Sequence, residues 1–194
     1  YLRTRLEEEF RRAERYAQPL ACILVDIDQL GAVNDRRGRS LGDRVLTMTA
    51  GKVKSALRDV DVCARFGGDE ILVLLPNTHL PGAMIAADRL WDAGAWALTS
   101  EEGDLAWDVT VSVGVALFPS PDVHSSESLV RAADRALQEA KAAGGNRVCT
   151  FHQEGTILDG PSGRPSLQVP AIDTEVSSLA SLNVTLVPGS DEGT

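Results

Sequence analysis

The chain has 194 residues and carries 19 Lys and Arg against 28 Asp and Glu, a formal charge of −9. With 43% hydrophobic and 24% charged residues it can bury a real core, which excludes a wholly disordered or collagen-like polymer. A pI near 4.8 argues against a surface built to neutralise long stretches of phosphate, so a nucleic-acid partner is not expected, although local positive charge still suffices for a small anionic ligand.

In chain order, Leu2, Leu6, Phe10, Ala13 and Ala17 recur at helical spacing within an Arg- and Glu-rich segment, an amphipathic helix that ends before Pro19. Leu20 to Val25 is a nearly continuous apolar run leading into Asp26-Ile27-Asp28, the pattern of a strand buried on both faces. A polar, Gly-containing stretch up to Gly42 follows, and Val45, Leu46, Thr49, Val53 and Leu57 mark a second helix. Val62 to Phe66 and Ile71 to Leu75 are β-rich runs joined through Gly67-Gly68, a dipeptide able to supply positive φ for a tight hairpin. Further elements are a helix over Leu80 to Ala93, a strand over Val109 to Leu117, a helix over Ser126 to Ala143 and a strand over Arg147 to Phe151. This order, αβαββαβαβ, predicts an α/β fold: a central, mainly antiparallel sheet with flanking helices, of the ferredoxin-like or palm kind.

The folded part is expected to span 1–154. From Thr156 to Thr194 there is no aromatic residue and no Lys but four Pro, so 155–194 reads as a flexible tail, with Leu179 to Val187 as a possible extra strand or docking segment. No run approaches the eighteen or so apolar residues of a membrane span, and the first residues are not a signal peptide. Cys22, Cys63 and Cys149 are odd in number and set among apolar residues, which suits buried thiols of a reducing, cytoplasmic setting. The start at Tyr1 suggests a piece of a longer chain.

Asp26 and Asp28 end a buried strand, and side chains two apart share a face of a regular strand, so either can meet Asp69 or Glu70 if the hairpin neighbours it. Converging carboxylates with Mg²⁺ between them can hold nucleotide phosphates; acids at strand ends are also often merely solvated. Arg58-Asp59-Val60-Asp61 reads, on its own, as a solvated helix-to-strand turn, and Asn34 before Asp35 as a turn or cap.

The joint arrangement of Asp26-Ile27-Asp28, Asn34-Asp35, Gly38, Leu41-Gly42-Asp43, Arg65 to Ile71, Ser112-Val113-Gly114, Ala133-Asp134 and Ala140-Lys141 resembles the GGDEF family of diguanylate cyclases, from about Leu6 to Phe151. The resemblance implies a palm-like fold and condensation of two GTP into cyclic di-GMP and pyrophosphate, each subunit of a homodimer holding one GTP. It implies Mg²⁺ (or Mn²⁺) ligands at Asp26, the Ile27 carbonyl and Asp69, and Glu70 as the second acid of the catalytic signature. Asn34 and Asp43 match guanine readers; a carboxylate can accept from guanine N1 and N2 donors, which adenine lacks. Leu30, Gly31 and Lys141 fall at phosphate-binding positions, the first two through backbone N–H groups. Arg58, Asp61 and Arg89 match an R-x-x-D product-inhibition site for cyclic di-GMP. The Leu-Thr-x-Leu-x-Asn-Arg segment that precedes this region in the family is missing, and an upstream sensor or regulatory domain is implied in the full-length chain.

Departures stand beside the matches: Leu30-Gly31 where Phe-Lys is usual, Arg39 for His, Ile71 for Phe, and Gly145 where an Arg commonly follows. Two cationic phosphate contacts are thereby absent, and Arg36, Arg37, Arg39 or Arg147 are the residues able to replace them, or an Arg introduced at Gly145. The alternatives are a cyclic di-GMP receptor with weak or no catalysis and a class III nucleotide cyclase acting on one nucleotide.

Overall fold

A computed structural model describes residues 2–99, 106–151 and 157–159. Their elements run α1 (Leu2–Tyr16), β1 (Leu20–Ile27), α2 (Leu30–Arg37), α3 (Arg39–Ser55), β2 (Val62–Arg65), β3 (Glu70–Pro76), α4 (Leu80–Gly94), β4 (Trp96–Thr99), β5 (Ala106–Val109), β6 (Val111–Phe118), α5 (Ser126–Ala142), β7 (Val148–Phe151) and β8 (Ile157–Asp159). Six strands form one sheet in the order β2-β3-β1-β6-β7-β8, while β4 and β5 pair separately. Only β6 and β7 run parallel, so the sheet is mainly antiparallel, with helices on both faces.

β1 is central, which is why its sequence is apolar without alternation. Ala21, Ile23, Val25 and Ile27 belong to a core shared with α2, α3 and α4. Leu20, Cys22 and Leu24 join the opposite core, with Leu6 and Phe10 of α1 and Leu129, Ala133 and Leu137 of α5. The close seat of α5 on β6 depends on Gly114: a Cβ there would lie 2.2 Å from the Ala133 carbonyl oxygen and 2.4 Å from the Leu137 nitrogen. α5 starts in a capping box in which Ser125 Oγ accepts from the Ser128 N–H at 3.1 Å and Ser128 Oγ accepts from the Ser125 N–H at 2.9 Å.

Several expectations need correction. The stretch before Gly42 is helical: α2 buries Leu30 and Val33, and Gly38, at φ 86°, divides it from α3. The hairpin between β2 and β3 does not use positive φ at Gly67 or Gly68. Instead the Phe66 and Gly67 N–H groups both donate to the Glu70 carbonyl, at 2.8 and 3.4 Å, closing a wider loop. The β4–β5 pair was not legible in the sequence, and β8 pairs with β7 past residue 154. Leu179 to Val187, like the rest of 160–194, lies outside the described residues.

Candidate active site

The functional positions gather at the end of β1. Asp26 is opposite Glu70 of β3 on one side and Ser112 of β6 on the other, and only 3% of it is exposed. The last turn of α5 brings Lys141 to it, with Nζ 2.8 Å from Asp26 Oδ2. The Asp26 carboxyl is raised to about 6: burial is the main cause, opposed by hydrogen bonding and charge from Lys141 and assisted by the negative charges of Asp69 and Glu70. The register of β1 against β3 sets Glu70 directly across from Asp26, with Asp69 one residue before it in the chain.

Asp28, two residues on, does not join them. Its Oδ1 accepts from Ser112 Oγ at 2.6 Å, and its Oδ2 accepts from Thr110 Oγ1 at 2.7 Å and from the Asn146 N–H at 2.9 Å. Three of its roughly four acceptor sites are therefore taken by the protein, whereas the partner of Asp26 is the ammonium of Lys141.

The loop carrying Asp69 is held through its backbone. Arg65 Nε donates to the Gly67 and Gly68 carbonyls at 3.2 and 3.1 Å, and its Nη2 also donates to Gly68. The Glu70 side chain folds over Gly67, where a Cβ would sit 2.7 Å from Oε2. Asp69 and Glu70 are half-buried. Among the described residues no group of three His, Cys, Asp or Glu side chains is close enough to hold a metal alone. The donors nonetheless fit Mg²⁺ or Mn²⁺: hard carboxylate oxygens, one of them buried, in a number that leaves room for phosphate oxygens, the way Mg²⁺ is usually held.

α2 and α3 form the second part of the site. A Cβ at Gly42 would lie 1.8 Å from Asn34 Oδ1, so glycine is what lets the amide occupy that place. Asn34 Oδ1 is itself buried without a hydrogen-bond partner among the described residues, a state that few buried polar atoms are left in. Asp43, next along α3, is exposed. Leu30 packs in the core, so only its backbone is available, and Gly31 has open space around it. No side chain caps the start of α2, and its first N–H groups have no partner within the helix.

Arg58 and Asp61 lie in the turn between α3 and β2. The Asp61 carboxylate accepts from the Arg58 N–H at 2.9 Å, and the Asp61 N–H donates to the Arg58 carbonyl at 3.0 Å, so the turn closes on itself and leaves the Arg58 side chain exposed. Arg89 is exposed on α4. The structure thus puts these residues on adjacent elements without linking their side chains.

The reading of Gly145 as a place for an added arginine needs correction. Gly144 and Gly145 take φ values of 109° and 75° and cap α5, the Gly145 N–H donating to the Ala140 carbonyl at 2.9 Å. A Cβ at Gly145 would be 3.0 Å from Asp28 Oδ1, so arginine there meets both backbone strain and a close contact. Arg147 Nε already donates to the Gly145 carbonyl at 3.3 Å. Sequence reasoning missed Thr110 and Asn146, whose roles depend on Asp28. Asn146, at φ 50°, also accepts from Trp91 Nε1 at 3.0 Å through its side-chain oxygen. No periodicity points to either.

Comparison with known proteins agrees with this geometry. Residues 1–147 match the sequence profile of the family described as diguanylate cyclase, GGDEF domain. A diguanylate cyclase of Vibrio cholerae serotype O1 is 35% identical over 144 residues, covering 74% of this chain and 44% of that protein. Diguanylate cyclase A of Treponema denticola is 38% identical over 136 residues, covering 68% and 35%. The chain therefore spans less than half the length of these curated relatives. The solved structure of the active GGEEF domain of a Vibrio cholerae diguanylate cyclase superposes with a TM-score of 0.71 at 33% identity, covering 78% of this chain and 94% of that one. Family profile, curated relatives and solved structure agree, and the chain belongs to the GGDEF-domain family.

Proposed function

We propose that this domain condenses two GTP into cyclic di-GMP, releasing pyrophosphate. The observation that carries the reading is the buried Asp26 carboxylate, paired with the Lys141 ammonium and set opposite Glu70 at the end of the Gly67-Gly68-Asp69-Glu70 loop. Asp26, the Ile27 carbonyl and Asp69 would hold Mg²⁺ or Mn²⁺. When bound, the metal offsets phosphate charge and lowers the cost of forming an alkoxide nucleophile. Lys141 and the backbone N–H groups of Leu30 and Gly31, at the side-chain-uncapped start of α2, bind the triphosphate. Asn34, with its unpartnered oxygen, and Asp43 read guanine; a base whose N1 and N2 carry no such donors leaves Asp43 unpaired, which disfavours ATP. Glu70 adds the second carboxylate beside the reacting groups.

Each copy holds one GTP, so two copies meet face to face. The 3′-oxygen of one nucleotide attacks the α-phosphorus of the other, the bond to the pyrophosphate oxygen breaks and the hydroxyl proton passes to solvent; the reciprocal step closes the ring and releases a second pyrophosphate. Arg58, Asp61 and Arg89 supply a product site that feeds back on the reaction, and a sensor domain outside this sequence is the natural source of control. Among the described residues no helix is long and apolar enough to cross a membrane.

A specific observation favours a second reading: glycine at 31 and 145 removes two cations from the phosphate end, as in a receptor that binds product with little catalysis. One experiment separates them. Incubating the 194-residue chain with GTP and Mg²⁺ and resolving the nucleotides should yield cyclic di-GMP and pyrophosphate. Tight binding of added cyclic di-GMP with no synthesis would establish the receptor instead, and a product cyclised from a single nucleotide would mean a class III cyclase.

A further inference from the structure

Two carboxylates leave the same strand end and grip the same helix end in different ways. Asp26 takes the ammonium of Lys141, on the last turn of α5. Asp28 takes the backbone of the turn that follows that helix, through the Asn146 N–H, and ties it to Ser112 of β6 and to Thr110 just before that strand. In that turn Gly144 and Gly145 close the helix with their own hydrogen bonds to the Lys141 and Ala140 carbonyls, and the residue that follows, Asn146, sits at φ 50°, a conformation that costs a residue with a side chain and persists where its surroundings hold it. Asp28 holds it on one side, with Gly145 packed against the carboxylate, and Trp91 holds the Asn146 side chain on the other.

We propose that Asp28 is a positioning residue: by anchoring the turn after α5 to the end of β1, it sets the Lys141 ammonium at the phosphate position beside Asp26. This rests on the cyclase reading for its consequence, since Lys141 is there the triphosphate contact. The mechanism is geometric. Three donors converge on one anionic group, two of them on the same oxygen, and hydrogen bonds to a charged acceptor are about twice as strong as neutral ones. With the anchor gone, Lys141 keeps its charge but not its place, and a displacement of about 1 Å is enough to cost a binding or catalytic contact most of its value.

The test is a double-mutant cycle on GTP affinity, measured calorimetrically with Mg²⁺ on the 194-residue chain, with Asp28→Asn, Lys141→Ala and the pair together. Asn preserves shape and one acceptor oxygen, so it keeps the fold where Asp28→Ala risks losing it. Asp28→Asn should weaken GTP binding about fivefold to tenfold, and Lys141→Ala should then cost little further, because the lysine is already misplaced. If Lys141→Ala costs the same factor in both backgrounds, or if Asp28→Asn binds GTP as wild type does, Asp28 has only a structural role and the proposal fails. Amide exchange at Asn146 gives a readout that needs no nucleotide: it should quicken in Asp28→Asn, and unchanged exchange would also overturn the anchor. Wild-type protein that binds no GTP at all would sink the cyclase reading, and the anchor would then stand or fall on the exchange result alone.

Discussion

The end of β1 and the turn between α3 and β2 both present acids and cations, yet they are built on opposite plans. At the end of β1, Asp26 is 3% exposed and paired with Lys141, and Asp28 is ringed by three donors. In the turn, Val60 is 67% exposed, Arg58 is exposed, and the Asp61 carboxylate accepts from the backbone of its own turn. Charges inside the protein interact strongly and hold one geometry, while exposed charges are screened and adapt to a ligand. Substitutions of the buried groups at the first place should therefore change stability as well as chemistry, and substitutions at the second should act mainly on ligand affinity.

The largest expected effect breaks the buried side through its support. Gly114→Ala puts a methyl group into the backbone of α5, which cannot yield as a side chain would, so the helix carrying Lys141 must move off the sheet. A loss of about 3 kcal/mol or more is expected in denaturant unfolding. Stability within about 0.5 kcal/mol of wild type would show that α5 is not held this way.

Asp69→Asn tests whether the half-buried loop belongs functionally with the buried pair. It keeps size and removes charge, so synthesis of cyclic di-GMP should fall by about two orders of magnitude or more while the melting temperature stays nearly constant. Normal turnover would remove Asp69 from the metal set.

Asp26→Asn sharpens the comparison through pH. The folded carboxyl is raised from 3.8 to about 6, chiefly by burial, so the native state binds its proton more tightly than the unfolded chain does. Stability contributed by Asp26 is then greatest below the unfolded value and falls as pH rises through about 6, where ionisation of a buried group becomes a cost. Asn resembles the protonated acid. It should stabilise the protein at pH 7 by on the order of 1–2 kcal/mol, after allowing for solvent screening, and by almost nothing near pH 4. Thermal unfolding at both values checks this; equal gains at both would mean that ionisation is not the cause.

The smallest structural effects belong to the exposed turn. Arg58→Ala should weaken cyclic di-GMP binding about tenfold with no measurable change in melting temperature. Asp61→Ala should do the same and also lose its bond to the Arg58 N–H, a further cost of roughly 0.5–1.5 kcal/mol in stability. Calorimetric titration of both variants settles the affinities, and unchanged product binding by Arg58→Ala would leave the turn as a plain connection.

How much of this was legible depends on whether the information is local. The run from Leu20 to Val25 specified a strand buried on both faces, and the spacing over Ser126 to Ala143 specified a helix, because burial on one face or two leaves its period in the sequence. The motif around Gly67-Gly68-Asp69-Glu70, with Asn34, Asp43 and Lys141 in order, identified the family. The α2 helix was hidden because its eight residues bury only Leu30 and Val33. The four-residue strands β4 and β5 were hidden because they are too short for alternation to stand out.

What the amino-acid order determined by itself, then, is the type of most elements, the family, and the candidate residues of the site. Tertiary structure alone decided what those residues do to one another. Asp26 and Asp28 look alike in the sequence, two acids two residues apart at a strand end. Only the return of the α5–β7 turn to Asp28, bridging residues 118 apart in the chain, made one an anchor and left the other to face Lys141. Such a difference has no local signature, because the hydrogen bonds that create it exist only once the sheet has closed and brought distant donors to the same carboxylate.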